Sequence, residues 1–268
     1  MSTKIAIIGG GNIGVALAKG LVKSGDYKTS EIAITRRRTG KLDEMAFDGY
    51  RVSSDNKVAV EDTKIIVLAI LPQQLDEVLA DVKDHITEKH LIISVVSGVS
   101  TEVIKASLGD NMQVVRAMPN TAISIRESMT CIASSANSSG RMEEVIAIFE
   151  TVGITMVINE DQMTSATALC ACGIAFFLRS IRAASQGGTE IEFHASDALR
   201  MAAQTAKGAA ALLLEHNTHP EDEIDRVTSP KGCTIAGLNQ MEHHGFSSAF
   251  IKGITTSAKK AGGLYTNE

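Results

Sequence analysis

The chain has 268 residues, enough for one large domain or two ordinary ones, with the 44% hydrophobic and 21% charged content of a globular protein that has a core. A net charge of -5 without a basic block argues against nucleic acid as the main partner, and the longest apolar run, Ala168 to Leu178, is too short to span a bilayer. The four scattered cysteines, Cys131, Cys170, Cys172 and Cys233, form neither a disulfide framework nor a metal site; reduced thiols, a cytoplasmic location and no signal or transit segment are expected.

Lys4 to Ile8 is a short apolar run and reads as a buried strand. Gly9-Gly10-Gly11-Asn12-Ile13-Gly14 follows, and Val15 to Lys23 then carries helical spacing. A Gly-x-Gly-x-x-Gly run between a strand and a helix is the dinucleotide fingerprint. Gly9 makes the tight turn, Gly11 lets a pyrophosphate approach the backbone, and Gly14 lets the helix pack on the strand. Asn12 and Ile13 lie at the positive end of the helix, where the phosphates sit.

Glu31 to Thr35 reads as the second strand. An NAD-binding unit usually ends this strand in Asp or Glu, to bond the ribose hydroxyls. Here the place is held by Thr35-Arg36-Arg37-Arg38. Guanidinium forks suit a ribose 2′-phosphate, so Arg36 and Arg37 point to NADP(H). A solvated basic loop is the plainer alternative.

Lys64 to Ala69 is a continuous apolar strand, and Pro72 opens a helix that continues through Val82. Leu91 to Val96 and Gln113 to Arg116 are further strands, with a short helix near Thr101 to Ser107 between them. Asn56, Ala69, Pro72 and Asn120 fall after strands, along the carboxyl edge where open parallel sheets bind ligands. They complete the cofactor candidates, although Asn120 reads equally well as a turn residue. Met129 to Ser134, a helix from Arg141 to Thr151, and Thr155 to Ile158 finish this half.

The alternation of strand and helix predicts a mostly parallel sheet covered on both faces. After Asn159 strand-like runs stop. Two long helices are predicted over Asp161 to Ser185 and Phe193 to His216, separated by Gly187-Gly188, and a final pair over Thr234 to His244 and Ser247 to Lys260. The fold class is therefore α/β, an N-terminal Rossmann dinucleotide-binding domain (1–159) followed by an all-α domain (160–268). The broad small-residue faces of the second half predict a two-subunit interface, with a compact monomeric bundle as the alternative.

Val227 to Leu238 reads Val-Thr-Ser-Pro-Lys-Gly-Cys-Thr-Ile-Ala-Gly-Leu. Pro230 cannot continue a helix, Ser229 and Thr234 supply hydroxyls, and Gly232 allows close approach of a ligand. A turn opening a helix in this way presents unpaired amides that suit a carboxylate or phosphate, unless it is only an ordinary capped helix start.

These residues together resemble the pyrroline-5-carboxylate reductase family. The markers are Ile7 to Gly14, Ser94-Val95-Val96-Ser97-Gly98-Val99, Arg116-Ala117-Met118-Pro119-Asn120-Thr121, Thr167-Ala168-Leu169 and Thr228-Ser229-Pro230, in order over nearly the whole chain. The resemblance implies that NADPH reduces 1-pyrroline-5-carboxylate to L-proline, with an interlocked helical dimerisation domain and dimers that often assemble further. It makes the Ser-Pro turn the substrate's carboxylate cradle. Gly232 and Cys233, with the Thr234 backbone, would hold that group, Lys231 would add a contact, and Thr167 would line the pocket. The Thr234 hydroxyl would serve the ring nitrogen and Ser229 would support the turn.

The chain also departs from the family pattern. Leu71 replaces the usual Lys before Pro-Gln, and Cys170-Ala171-Cys172-Gly173-Ile174-Ala175 replaces Ser-Gly-Ser-Gly-Pro-Ala. Ser229-Pro230-Lys231-Gly232-Cys233-Thr234 replaces Ser-Pro-Gly-Gly-Thr-Thr. Loss of the helix proline predicts a straighter helix with a restored hydrogen bond, and Lys231 predicts a stiffer turn beside the anion site. Two other readings stay open. One is a related imine or hydroxy-acid reductase; hydroxy-acid enzymes that resemble this layout rely on a Lys near the start of the interdomain helix, and Asp161 to Ala175 contains none. The other is a non-catalytic NADP-binding sensor. His194, His216, His219, His243 and His244 are proton-donor candidates, read as exposed helix ends.

Overall fold

Short apolar strands without polar alternation belong in a sheet covered on both faces. The structure, a computed structural model that describes residues 4–61, 63–134 and 140–265, contains such a sheet. Its strands are β1 (Ile5–Ile8), β2 (Ile32–Thr35), β3 (Arg51–Ser53), β4 (Ile65–Leu68), β5 (Leu91–Ser94), β6 (Gln113–Met118), β7 (Ser128–Ser134) and β8 (Gly153–Val157). Their spatial order is β3-β2-β1-β4-β5-β6-β7-β8. All neighbouring pairs are parallel except β6 with β7. The link between those two holds only the 3-10 turn Thr121–Ile125, too short for a crossover, so the chain doubles back.

The helices of this half are α1 (Asn12–Ser24), α2 (Asp43–Phe47), α3 (Asn56–Val60), α4 (Leu75–Val82), α5 (Thr101–Leu108) and α6 (Met142–Glu150). The strand period sorts the core into two layers. Ile5 and Ile7 pack with Leu17 and Leu21 of α1, while Ala6 and Ile8 pack with Leu75 and Leu79 of α4. The strand order reverses between β1 and β4, which is where a crevice opens in sheets of this kind.

In the second half α7 (Met163–Ala166) leads into a π-wound turn over Thr167–Cys172 and then α8 (Gly173–Glu190). α9 (Ala195–His216), α10 (Pro220–Arg226), α11 (Cys233–His243) and α12 (Phe246–Gly262) follow. The chain divides into two compact units, residues 1–172 with 257–268, and residues 173–256.

Three features differ from the reading of the sequence. Gly187 and Gly188 lie inside α8 rather than between helices. Their small size serves packing, since a Cβ on Gly188 would lie 2.9 Å from the Cβ of Ala198, and the break comes later at Glu192 (φ 80°). The segment before the lost proline is π-wound over Thr167–Cys172, whereas Ile174, in the proline's place, lies in the regular α8. Finally, the helical stretch Glu160–Glu190, with 31 residues, is long and apolar enough to cross a membrane by length and composition. Its neutral Thr, Ser, Cys and Gly residues extend the apolar run beyond Ala168 to Leu178.

The unit 173–256 has almost no interior of its own. Its buried residues are Gly173, Ser185 and Ala198, whereas Leu214 is 77% and Phe177 58% exposed.

Candidate functional site

The first unit carries a cleft of about 1610 Å3 above the carboxyl ends of β1, β2 and β4. That volume exceeds an ordinary small-ligand pocket and suits a dinucleotide. Gly9, Gly11, Asn12 and Ile13 form its floor. Gly9 holds φ 111° against the Ala69 carbonyl, where no side chain fits. A Cβ on Gly14 would overlap the Gly9 carbonyl, so Gly14 sets the helix on the strand without lining the cleft. Gly11 is different, because a Cβ there meets nothing within 4 Å and would project into open space. Gly11 also caps α1, whose first turn has no side-chain cap and no acidic residue. The amides at this end are free for an anion.

The other end of the cleft is basic. Arg36, Arg37, Arg38 and Lys41 line it, together with Ser54. The Arg36 guanidinium turns back and donates to the Gly10 carbonyl oxygen at 2.5 Å, so it braces the glycine turn. Arg37, Arg38 and Lys41 are exposed and have no carboxylate partner among the described residues. Sequence reasoning missed Arg38 and Lys41 as contacts, although Arg38 belongs to the same run and Lys41 follows one 3-10 turn later. Thr35, in the place of the usual acid, is buried and donates its hydroxyl to Asn56 Oδ1 at 2.7 Å. Asn56 lines the cleft, but its Nδ2 is also engaged, with Asp81 Oδ2 at 3.1 Å.

Ala69 and Pro72 line the far wall with Ile70, Val95 and Leu264. Leu264 was not foreseen. It arrives from the C-terminal segment, held by a hydrogen bond from the Tyr265 hydroxyl to Asp76 Oδ1 (2.8 Å).

Asn120 is not brought to this cleft. Its Oδ1 accepts from the Ala122 amide at 3.0 Å, and its Nδ2 donates to the Cys170 carbonyl at 3.2 Å. That donor feeds the π turn, where the i to i+4 ladder is broken. Thr167 is buried in the same turn and its hydroxyl donates to the Met163 carbonyl at 2.9 Å.

In the second unit, Pro230 and Lys231 form the corner of a turn closed by the Gly232 amide, which donates to the Ser229 carbonyl at 2.9 Å. Proline followed by a residue of positive φ is the type II pattern, and Lys231 holds φ 58°. The closure corrects one expectation. The Gly232 amide is already used, so the amides left for an anion are those of Cys233, Thr234 and Ile235, the first turn of α11. No side chain caps that helix and no acid lies in its first turn. Cys233 is exposed and Thr234 half-buried. The five candidate proton donors, His194, His216, His219, His243 and His244, all lie at helix ends, and His216 pairs with Glu223 at 3.3 Å.

Two family models match the chain. One, described as pyrroline-5-carboxylate reductase dimerisation, covers residues 160–264; the other, described as NADP oxidoreductase coenzyme F420-dependent, covers residues 4–98. Pyrroline-5-carboxylate reductase 1 of Dictyostelium discoideum is 53% identical over 98% of this chain, which spans 50% of that relative's length. Pyrroline-5-carboxylate reductase 2 of the same organism is 48% identical over 96% of this chain and 91% of its own. The crystal structure of a Plasmodium falciparum pyrroline carboxylate reductase with NADP bound shares the fold, with a TM-score of 0.88 at 24% identity over 98% of both chains.

Proposed function

The chain belongs to the pyrroline-5-carboxylate reductase family, and we propose that it reduces 1-pyrroline-5-carboxylate to L-proline with NADPH, completing proline biosynthesis. The observation that carries the reading is the glycine-floored cleft with unpaired Arg37, Arg38 and Lys41 at the end where an NAD site needs an acid. The residues fit NADP(H). Gly9, Gly11, Asn12 and Ile13 hold the pyrophosphate, Arg37 with Arg38 and Lys41 the 2′-phosphate, and Ala69 with Pro72 the far wall, while Gly14 and Arg36 shape the glycine turn. Asn56 lines the cleft beside Thr35, while Asn120 lies away from it and braces the π turn.

When bound, the nicotinamide supplies the hydride. The chain's own residues bind, orient and exclude water. The amides of Cys233, Thr234 and Ile235 receive the substrate carboxylate at the positive end of α11, and Lys231 adds a cation beside it. As the C=N carbon accepts the hydride, its π electrons pass to the ring nitrogen. The Thr234 hydroxyl hydrogen-bonds that nitrogen. Solvent protonates the imine beforehand, so no histidine is required. Ser229 supports the turn, and Thr167, buried in the π turn, is the pocket residue that the first unit contributes.

The functional boundary lies near residue 160, with the NADP domain at 1–159 and the dimerisation and substrate domain at 160–268. A second copy of the chain covers the exposed apolar faces of α8 to α12, giving a homodimer or a larger assembly of dimers in the cytoplasm. That use accounts for the apolar helix Glu160–Glu190 without a membrane.

NADPH consumption with 1-pyrroline-5-carboxylate tests the reading directly. Turnover to proline is expected, with NADPH preferred to NADH. Binding of NADPH without turnover overturns the reductase in favour of a sensor, and turnover only with a 3-hydroxy acid or another cyclic imine reassigns the substrate.

A further inference from the structure

The Sγ atoms of Cys131 and Cys170 lie 3.8 Å apart, although the residues are 39 positions apart in sequence. Cys131 stands on β7 opposite Met118 of β6 and is buried. Cys170 is half-buried in the π turn, where Met163 and Ala166 pack around the two sulfurs. A disulfide needs an S–S separation of about 2 Å. Closing the gap takes a shift of about 2 Å, which rotation of the two side chains and a small movement of the π turn, a departure from the regular helical ladder, would supply.

We propose that Cys131 and Cys170 are a redox-modification site, forming a reversible disulfide that staples the π turn to β7 in response to a hydroperoxide. A small oxidant is required by the half-buried position of Cys170. With hydrogen peroxide as the oxidant, the Cys170 thiolate attacks one oxygen, the O–O bond breaks, and Cys170 becomes a sulfenic acid with release of hydroxide. The Cys131 sulfur then attacks Cys170 Sγ, the S–O bond breaks, and the Cys131 proton leaves with the hydroxyl as water. In sum two thiols lose two hydrogens and hydrogen peroxide is reduced to two waters.

The division of labour follows from the contact between the thiols. The hydrogen bond with Cys131 holds the Cys170 thiol below its ordinary value, which favours it as the attacking thiolate. The same bond, with burial, pushes the Cys131 thiol up and keeps it protonated as the resolving partner. The consequence for turnover rests on the reductase reading above. The π turn carries Thr167 and receives the Asn120 amide through the Cys170 carbonyl, so fixing it restrains the wall assigned to the substrate pocket.

The test is peroxide treatment of the full chain, digestion without reductant, and mass spectrometry of the peptides. The expected product is a peptide pair joined at Cys131 and Cys170, two hydrogens lighter than its reduced parts and separated again by dithiothreitol. Cys131→Ala should instead leave Cys170 as a sulfenic acid that dimedone traps; if that variant does not fold, Cys170→Ala should leave Cys131 unlabelled by dimedone, and labelling of Cys131 there would overturn Cys170 as the attacking thiol. The kcat of the wild type should fall at least about tenfold on oxidation and return on reduction, since a small displacement of a positioning wall is costly to rate. Absence of the linked pair, or linkage of Cys170 to Cys172 or Cys233, overturns the site. A linked pair with unchanged kcat overturns its control of turnover. If the reduced protein itself turns over no substrate, the reductase reading fails while the peptides still decide the disulfide.

Discussion

A Cβ on Gly232 would lie 2.6 Å from the Oγ of Ser229, so the turn that opens α11 closes only around a glycine. The neighbouring residue is under the opposite tension. Lys231 holds φ 58°, a conformation that glycine adopts freely and lysine at a cost.

Lys231→Gly should therefore raise stability by about 1 kcal/mol, read as an increase in Tm. The same change removes the cation beside the free amides of α11, and KM for the imine substrate should rise severalfold. A higher Tm with unchanged KM would confine Lys231 to a backbone role. Gly232→Ala should lower Tm, since Ser229 has to move.

Gly11 and Gly14 separate binding from folding. Gly11→Ala places a methyl group in open cleft, so Tm should hold within about 1 kcal/mol of stability while NADPH affinity falls at least tenfold. Gly14→Ala drives a methyl group into the Gly9 carbonyl and should destabilise the fold itself. Thermal denaturation with and without NADPH distinguishes the two. Equal loss of stability in both variants would contradict the open geometry at Gly11.

Local chemistry made much of this legible before any coordinates. The glycine turn, the missing acid at Thr35 and the all-helical second half each follow from residue types at short spacing. What escaped depends on partners distant in sequence. The π turn is stabilised where Asn120 reaches the Cys170 carbonyl, a contact across 50 positions, and nothing in the Thr167–Cys172 composition announces it. Gly187-Gly188 reads as a helix break until Ala198 is seen packed against Gly188. The Gly232 amide reads as a ligand group until the type II turn consumes it. Leu264 reaches the cofactor cleft from a segment whose sequence carries no nucleotide signal.

Arg36 and Arg37 are adjacent but should respond differently to mutation. Arg37→Ala removes an unpaired cation from the ribose end and should raise KM for NADPH about tenfold while leaving NADH untouched, as expected for a lost phosphate contact. Arg36→Ala removes the brace on the Gly10 carbonyl and should weaken both cofactors alike. Steady-state kinetics with the two dinucleotides decides this. A selective NADPH defect in Arg36→Ala would place its guanidinium on the 2′-phosphate instead.

The first unit encloses a charged side chain. Arg116 on β6 is 5% exposed, and its Nε has no hydrogen-bond partner among the described residues. Burial pushes its pKa down, while Glu160 at 3.3 Å opposes that shift. Glu160 is itself fixed, accepting from the Thr101 amide and hydroxyl at 2.7 Å each. It stands at the start of the segment that leads into the π turn, so one carboxylate ties β6, α5 and that segment together. Glu160→Ala leaves a buried guanidinium uncompensated and should cost about 3–5 kcal/mol in chemical denaturation. Replacing both partners, Arg116→Met with Glu160→Gln, should recover most of the loss, because an uncharged pair leaves no buried charge without a counter-charge. If the double variant is as unstable as Glu160→Ala alone, the loss comes from the broken Thr101 hydrogen bonds rather than from the stranded charge.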